Sequence, residues 1–239
     1  MTPVLQARFA GLLYLAVAIA GGFAQLVARS SVLVAGDAAT TAQRIRDSEM
    51  LLRIGFLADV VNVVAFLGVA LLLYSLLAPT SRGMAVAFLA LNAIAAGIMG
   101  LDLVNHAGAL VVATDPSYVT ALGANGADAL AALFLDLHRW GYLVAEVFFG
   151  LWLLPLGIAV RRSGTFPRIL GTGLVIGALA YMASFALSFA APDTESALSV
   201  MIAIPGGLAE LIFMAWLLVR GTNAAAISLP APLMEGASS

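Results

Sequence analysis

Apolar residues dominate long stretches of this chain, and the polar positions fall mostly in short clusters between them. A membrane-spanning helix needs about 20 mostly apolar residues. The pattern predicts six such segments, at about residues 8–29, 53–78, 83–113, 128–160, 166–191 and 197–220. The breaks carry turn chemistry: APTSRG at 78–83, ATDPSYVTALGANGAD at 113–128, RRSGTFPR at 161–168 and APDTES at 191–196. The expected architecture is all-α, a polytopic membrane protein built as a six-transmembrane-helix bundle over residues 1–221. A C-terminal tail, 222–239, is small, polar and Pro-containing, and is expected to be disordered. The first segment is longer than a signal-peptide core, so it is read as a retained helix.

The loop before the second segment has a pattern of its own. Asp37 suits a helix N-cap, and Ile45, Leu52 and Phe56 recur at near-helical spacing. An amphipathic helix over about 37–52, lying on the outer surface, is expected. Arginine placement sets the orientation. Arg8, Arg82, Arg161, Arg162, Arg168 and Arg220 fall on one side, and Arg29, Arg44, Arg46 and Arg53 on the other. Both termini are therefore expected in the cytoplasm.

Composition supports the membrane reading. Of 239 residues, 62% are hydrophobic and only 10% charged, against about 25% charged in soluble chains. The net charge of −2 gives no footing for nucleic-acid binding. There is no Cys, which excludes disulfides and thiolate chemistry. All 11 basic residues are Arg, so no Schiff-base or P-loop lysine exists.

Helical hairpins related in sequence are suggested by an internal echo. AEVFFGLWLL (145–154) and AELIFMAWLL (209–218) match at six of ten positions, and ADVVN (58–62) is a fainter version. Three related hairpins would fit this spacing.

Ionisable groups inside spanning segments face the bundle interior, paired or wetted. The candidates are Asp59 and Asn62 in the second segment, Asp102 and His106 in the third, Asp136, His138, Arg139 and Glu146 in the fourth, and Glu210 in the sixth. Helical periodicity groups Asp136, Arg139 and Glu146 on one inward stripe, with His138 pointing elsewhere. On that reading Arg139 is the single deep cation against five acids, with Glu146 and Glu210 near the midplane. Such a surplus suits an outward-facing pocket for a cation, a proton or a cationic solute, in a small permease-like protein. The alternative is a structural or sensory protein whose buried charges hold helix register. Two histidines raise a bis-His haem or a metal site with Asp102 and Asp136, but no motif spacing supports either, so no cofactor or metal is expected. No Ser–His pairing or phosphate loop points to an enzyme. Trp152, Trp216 and Tyr74 read as interface anchors. The expected partners are the lipid bilayer and a small cationic solute or proton.

ARFAGLLYL (7–15), LLRIGFLAD (51–59), Asp136–Leu137–His138, VFFG (147–150), RSGTFPRILG (162–171) and the stretch from Glu210 to Gly221 occur in an order that resembles a bacterial integral-membrane family, domain of unknown function 4386. The resemblance covers roughly residues 7–222. It implies a six-helix protein of the bacterial cytoplasmic membrane and carries no activity, cofactor or catalytic residue. The family's pattern has no counterpart to Asp102 and His106.

Overall fold

The computed structural model describes residues 1–190 and 195–223, and every regular element among them is helical. Helix α1 (Pro3–Phe23) starts with Thr2 as N-cap and Pro at its first position, the arrangement that suits unsatisfied N-terminal amides. It runs on without a turn into a π-helical segment, Ala24–Arg29. Then come α2 (Ala38–Asp47), α3 (Glu49–Thr114), α4 (Pro116–Arg162), α5 (Arg168–Ala190) and α6 (Glu195–Val219). Five helices are long and apolar enough to cross a membrane: α1 with its π-helical extension, α3, α4, α5 and the Met201–Val219 part of α6.

Helix α3 has 66 residues, which at a rise of about 1.5 Å each would reach about 100 Å if straight. It does not stay straight. Ser81 leaves helical geometry, with φ −152° and ψ 63°, two residues after Pro79. The two limbs, 49–80 and 82–114, then fold back along each other. Nε2 of His106 reaches the Leu52 carbonyl oxygen at 3.1 Å, and Gly100 lies against Val63. The APTSRG turn therefore sits where the sequence predicts it.

The predicted loop at 113–128 is different. Asp115 caps a new helix by accepting from the Ser117 amide at 2.9 Å, and Pro116 occupies its first turn. That hydrogen bond holds the exposed Asp115 carboxyl below its usual range. Only Gly123, at φ 73°, interrupts α4. The Pro and Gly read as loop signals serve here as a helix start and a single redirecting residue. The amphipathic stretch also divides. Asp37 caps α2 through the Thr40 amide at 2.9 Å, and Ser48 separates α2 from α3. Bonds from the Thr40 hydroxyl and amide hold the exposed Asp37 carboxyl below its ordinary value.

Neighbouring helices close a ring: α1 packs on α3, α3 on α4, α4 on α5, α5 on α6, and α6 returns to α1. Small residues allow the closest approaches. A Cβ on Gly171 would stand 2.4 Å from the Gly157 carbonyl oxygen, and one on Gly157 would stand 2.6 Å from that of Gly171. Backbone therefore meets backbone where α4 crosses α5. Helix α2 covers one end, burying Ile45 with Leu110, Ala131 and Leu135, and Arg46 pairs with Asp128 at 2.9 Å. The outward faces are apolar, with Leu26, Leu101, Ile169 and Val219 among the most exposed side chains. Apolar surface on this scale marks contact with lipid.

Pro155 and Pro205 lie within helices that continue past them. Trp152 is fully buried against Phe66 and Tyr14, so it is a core residue and not an interface anchor. Thr222 is buried, and the Asn223 amide donates to the Thr165 carbonyl. The rest of the expected tail, 224–239, lies outside the described residues, as do residues 191–194 of the APDTES break.

Candidate functional site

Polar side chains gather at two places inside the ring. The first joins α1, both limbs of α3, and α4. The π-helical segment turns Arg29 inward, where its guanidinium forms a bidentate pair with Asp59. Gln25 accepts from Arg29 Nε at 2.9 Å, one turn back on the same segment. Both members of the ion pair are buried, Arg29 at 8% and Asp59 at 4% exposure. His106 lies beside them, with Nδ1 4.0 Å from Asp59 Oδ2. His138 stands edge-on to His106, ring centroids 5.8 Å apart. Its Nδ1 lies 2.8 Å from Asp102 Oδ2 and 3.2 Å from the Asp102 carbonyl oxygen. Asn105 donates to the other oxygen of Asp102 at 2.9 Å.

Gly141 makes this packing possible. A Cβ there would stand 2.1 Å from Asp102 Oδ1, so only glycine lets α4 approach α3 with Asp102 in place.

The second place is a cavity of about 310 Å³ between α1, α3, α4, α5 and α6. Glu146 and Glu210 both line it, along with Asn62. Glu210 accepts hydrogen bonds from Tyr14 and from Tyr181, the latter at 2.7 Å. Gly206 seats that tyrosine, since a Cβ there would fall 2.8 Å from the Tyr181 ring. Phe66, Tyr142, Phe149 and Trp152 complete an aromatic wall. No basic side chain lines this cavity among the described residues.

The nine residues singled out in the sequence divide accordingly. Asp59, Asp102, His106 and His138 form the first cluster, and Asn62, Glu146 and Glu210 line the cavity. Asp136 and Arg139 are exposed, which corrects the stripe drawn from periodicity. The buried stripe of α4 is instead Ala131, Leu135, His138 and Ala145, a spacing of four, three and seven that sends His138 inward and its charged neighbours out. Arg139 stacks near Trp140, 5.6 Å from its ring centroid. The deep cation is Arg29, assigned by sequence to the outer side and not to the interior. The expected segment, 8–29, already reaches Arg29; what the sequence did not show is the π-helical register that turns its side chain inward. Tyr14, Tyr142 and Tyr181 were also missed. Their signal was available: a phenol inside an apolar span needs a hydrogen-bond partner.

Long apolar helices and an apolar exterior around a core that holds clustered polar groups define an all-helical membrane protein. The chain belongs to the family described as Domain of unknown function (DUF4386), whose family model matches residues 9–221. No curated protein and no solved structure matches it.

Proposed function

We propose that this protein is a small permease of the cytoplasmic membrane that accepts a cationic solute in the Glu146–Glu210 cavity. The two limbs of α3 count as separate crossings, giving six, with both termini cytoplasmic and the cavity reached from the outer side. The observation that carries the reading is the cavity's lining: two carboxylates, no basic side chain among the described residues, and a wall of aromatic rings. Carboxylates supply charge neutralisation, and aromatic faces attract cations through their quadrupoles. A volume of about 310 Å³ is at the small end of ligand pockets, which suits a small amine and not a large drug-like molecule. Glu210 is oriented by two tyrosine hydroxyls, so its carboxylate is held ready and not free to rotate.

The test is flux in proteoliposomes, using a panel of small protonated and quaternary amines and a pH-sensitive dye for protons. Wild-type protein should move one solute class. Glu146→Gln and Glu210→Gln should keep wild-type elution and far-UV circular dichroism yet lose the flux. A wild type that moves no amine and no protons defeats the reading, as do two variants that transport at the wild-type rate. Variants that merely melt lower would favour buried polar groups acting as scaffold.

A further inference from the structure

Asp59, His106 and His138 come from three different helical limbs, and one ligand atom from each can be chosen so that all lie within 4.8 Å of one another. All three are buried, at 4%, 1% and 5% exposure. Each histidine already spends one ring nitrogen on an acceptor. Nε2 of His106 faces the Leu52 carbonyl, and Nδ1 of His138 faces the Asp102 carboxylate and carbonyl. A carbonyl oxygen cannot donate, so in the neutral rings these nitrogens carry the protons. The remaining nitrogens, Nδ1 of His106 and Nε2 of His138, are buried lone-pair donors without a hydrogen-bond partner. A buried ring nitrogen left this way costs free energy unless something binds it.

We infer that Asp59, His106 and His138 form a binding site for a divalent first-row transition ion of the zinc class. The donor set, two imidazoles and one carboxylate, matches what such ions take. The outer contacts match as well: ligating histidines characteristically donate their other N–H to a carboxylate or backbone carbonyl, which fixes tautomer and ring orientation. Charge agrees. Asp59 and Asp102 against Arg29 leave one net negative charge with both histidines neutral. Metal–ligand bonds of about 2.0–2.2 Å hold ligand atoms no more than about 4.4 Å apart, so small side-chain rotations close the set. A cavity of about 210 Å³ reaches His138 and Arg29, which supplies an entry path and room for a water ligand. Arg29 shares the Asp59 carboxylate with the ion, orienting it from behind and weakening it as a ligand.

The test uses full-length protein purified in detergent with a histidine-free tag. The chain has only two histidines, so ¹⁵N-histidine labelling reports on this site alone. Adding Zn²⁺ should shift the Nδ1 resonance of one ring and the Nε2 resonance of the other. Titrated Co²⁺ should give visible d–d bands at one ion per chain, displaced by Zn²⁺. His106→Gln and His138→Gln keep an amide donor and should each weaken Co²⁺ binding at least tenfold. Asp136→Asn, on the exposed face, should not. Unchanged histidine resonances in folded wild-type protein with saturating Zn²⁺ would overturn the assignment even if the histidine variants misfold. So would Co²⁺ bands that persist undiminished in both variants.

Discussion

The Arg29–Asp59 pair offers the sharpest test of the packing. Both partners are more than nine-tenths buried. Replacing Arg29 with Met keeps the stem volume and removes the guanidinium. Asp59 then remains as a buried carboxylate with the His106 ring 4.0 Å away and no guanidinium to neutralise it. Breaking a buried pair by removing one partner costs about 3–5 kcal/mol. At about 1.4 kcal/mol per decade this is a loss of two to three and a half orders of magnitude in the folding equilibrium constant. Asp59→Leu should cost a similar amount, by stranding Arg29. The double variant should lie within about 1 kcal/mol of wild type, because the pair's desolvation cost disappears along with its attraction. The cycle thus predicts a coupling of at least about 5 kcal/mol. Unfolding in mixed micelles, followed by tryptophan fluorescence, reads it, since Trp152 sits in the core. Single variants that each cost under about 1 kcal/mol, or effects that simply add, would refute the argument and mean the pair is solvated.

Two further outcomes follow from the geometry. Gly141→Ala should destabilise by about 1–3 kcal/mol, the usual range for overpacking, because the new methyl would overlap the Asp102 carboxylate. Thermal melts in detergent measure it, and Asp102→Ala should relieve part of the loss. Asp37→Ala should loosen α2 selectively, seen as faster deuterium uptake in residues 38–47. The Asp37 carboxyl titrates below its ordinary value when folded, held down by the Thr40 hydroxyl and amide, so its contribution is full above the ordinary carboxylate range and is lost as pH falls through the lowered folded pKa. The difference between wild type and Asp37→Ala should fade over that window, and a constant difference at all pH values would contradict the cap.

What the sequence determined was whatever depends on local composition and period. Apolar runs of spanning length, the turn around Ser81, the Asp37 cap and the break at Gly164 all rest on contacts within a few residues. Asp59, Asn62 and Phe66, and Ala95, Met99, Asp102 and His106, are buried together on α3 because the period of a regular helix fixes which residues share a face. That Glu146 and Glu210 are polar residues deep in apolar helices was legible too. Only the tertiary structure decided which faces meet. In an apolar helix nearly every face is hydrophobic, so periodicity alone cannot say whether Asp136 or His138 turns inward. The choice is made by Gly141, which lets α4 close on Asp102, and by α3 folding back to bring His106 beside Leu52. Arg29 joined the interior only because α1 continues past Phe23 as a π-helix. Long-range packing, not local pattern, therefore paired Arg29 with Asp59, His138 with Asp102, and Glu210 with Tyr14 and Tyr181.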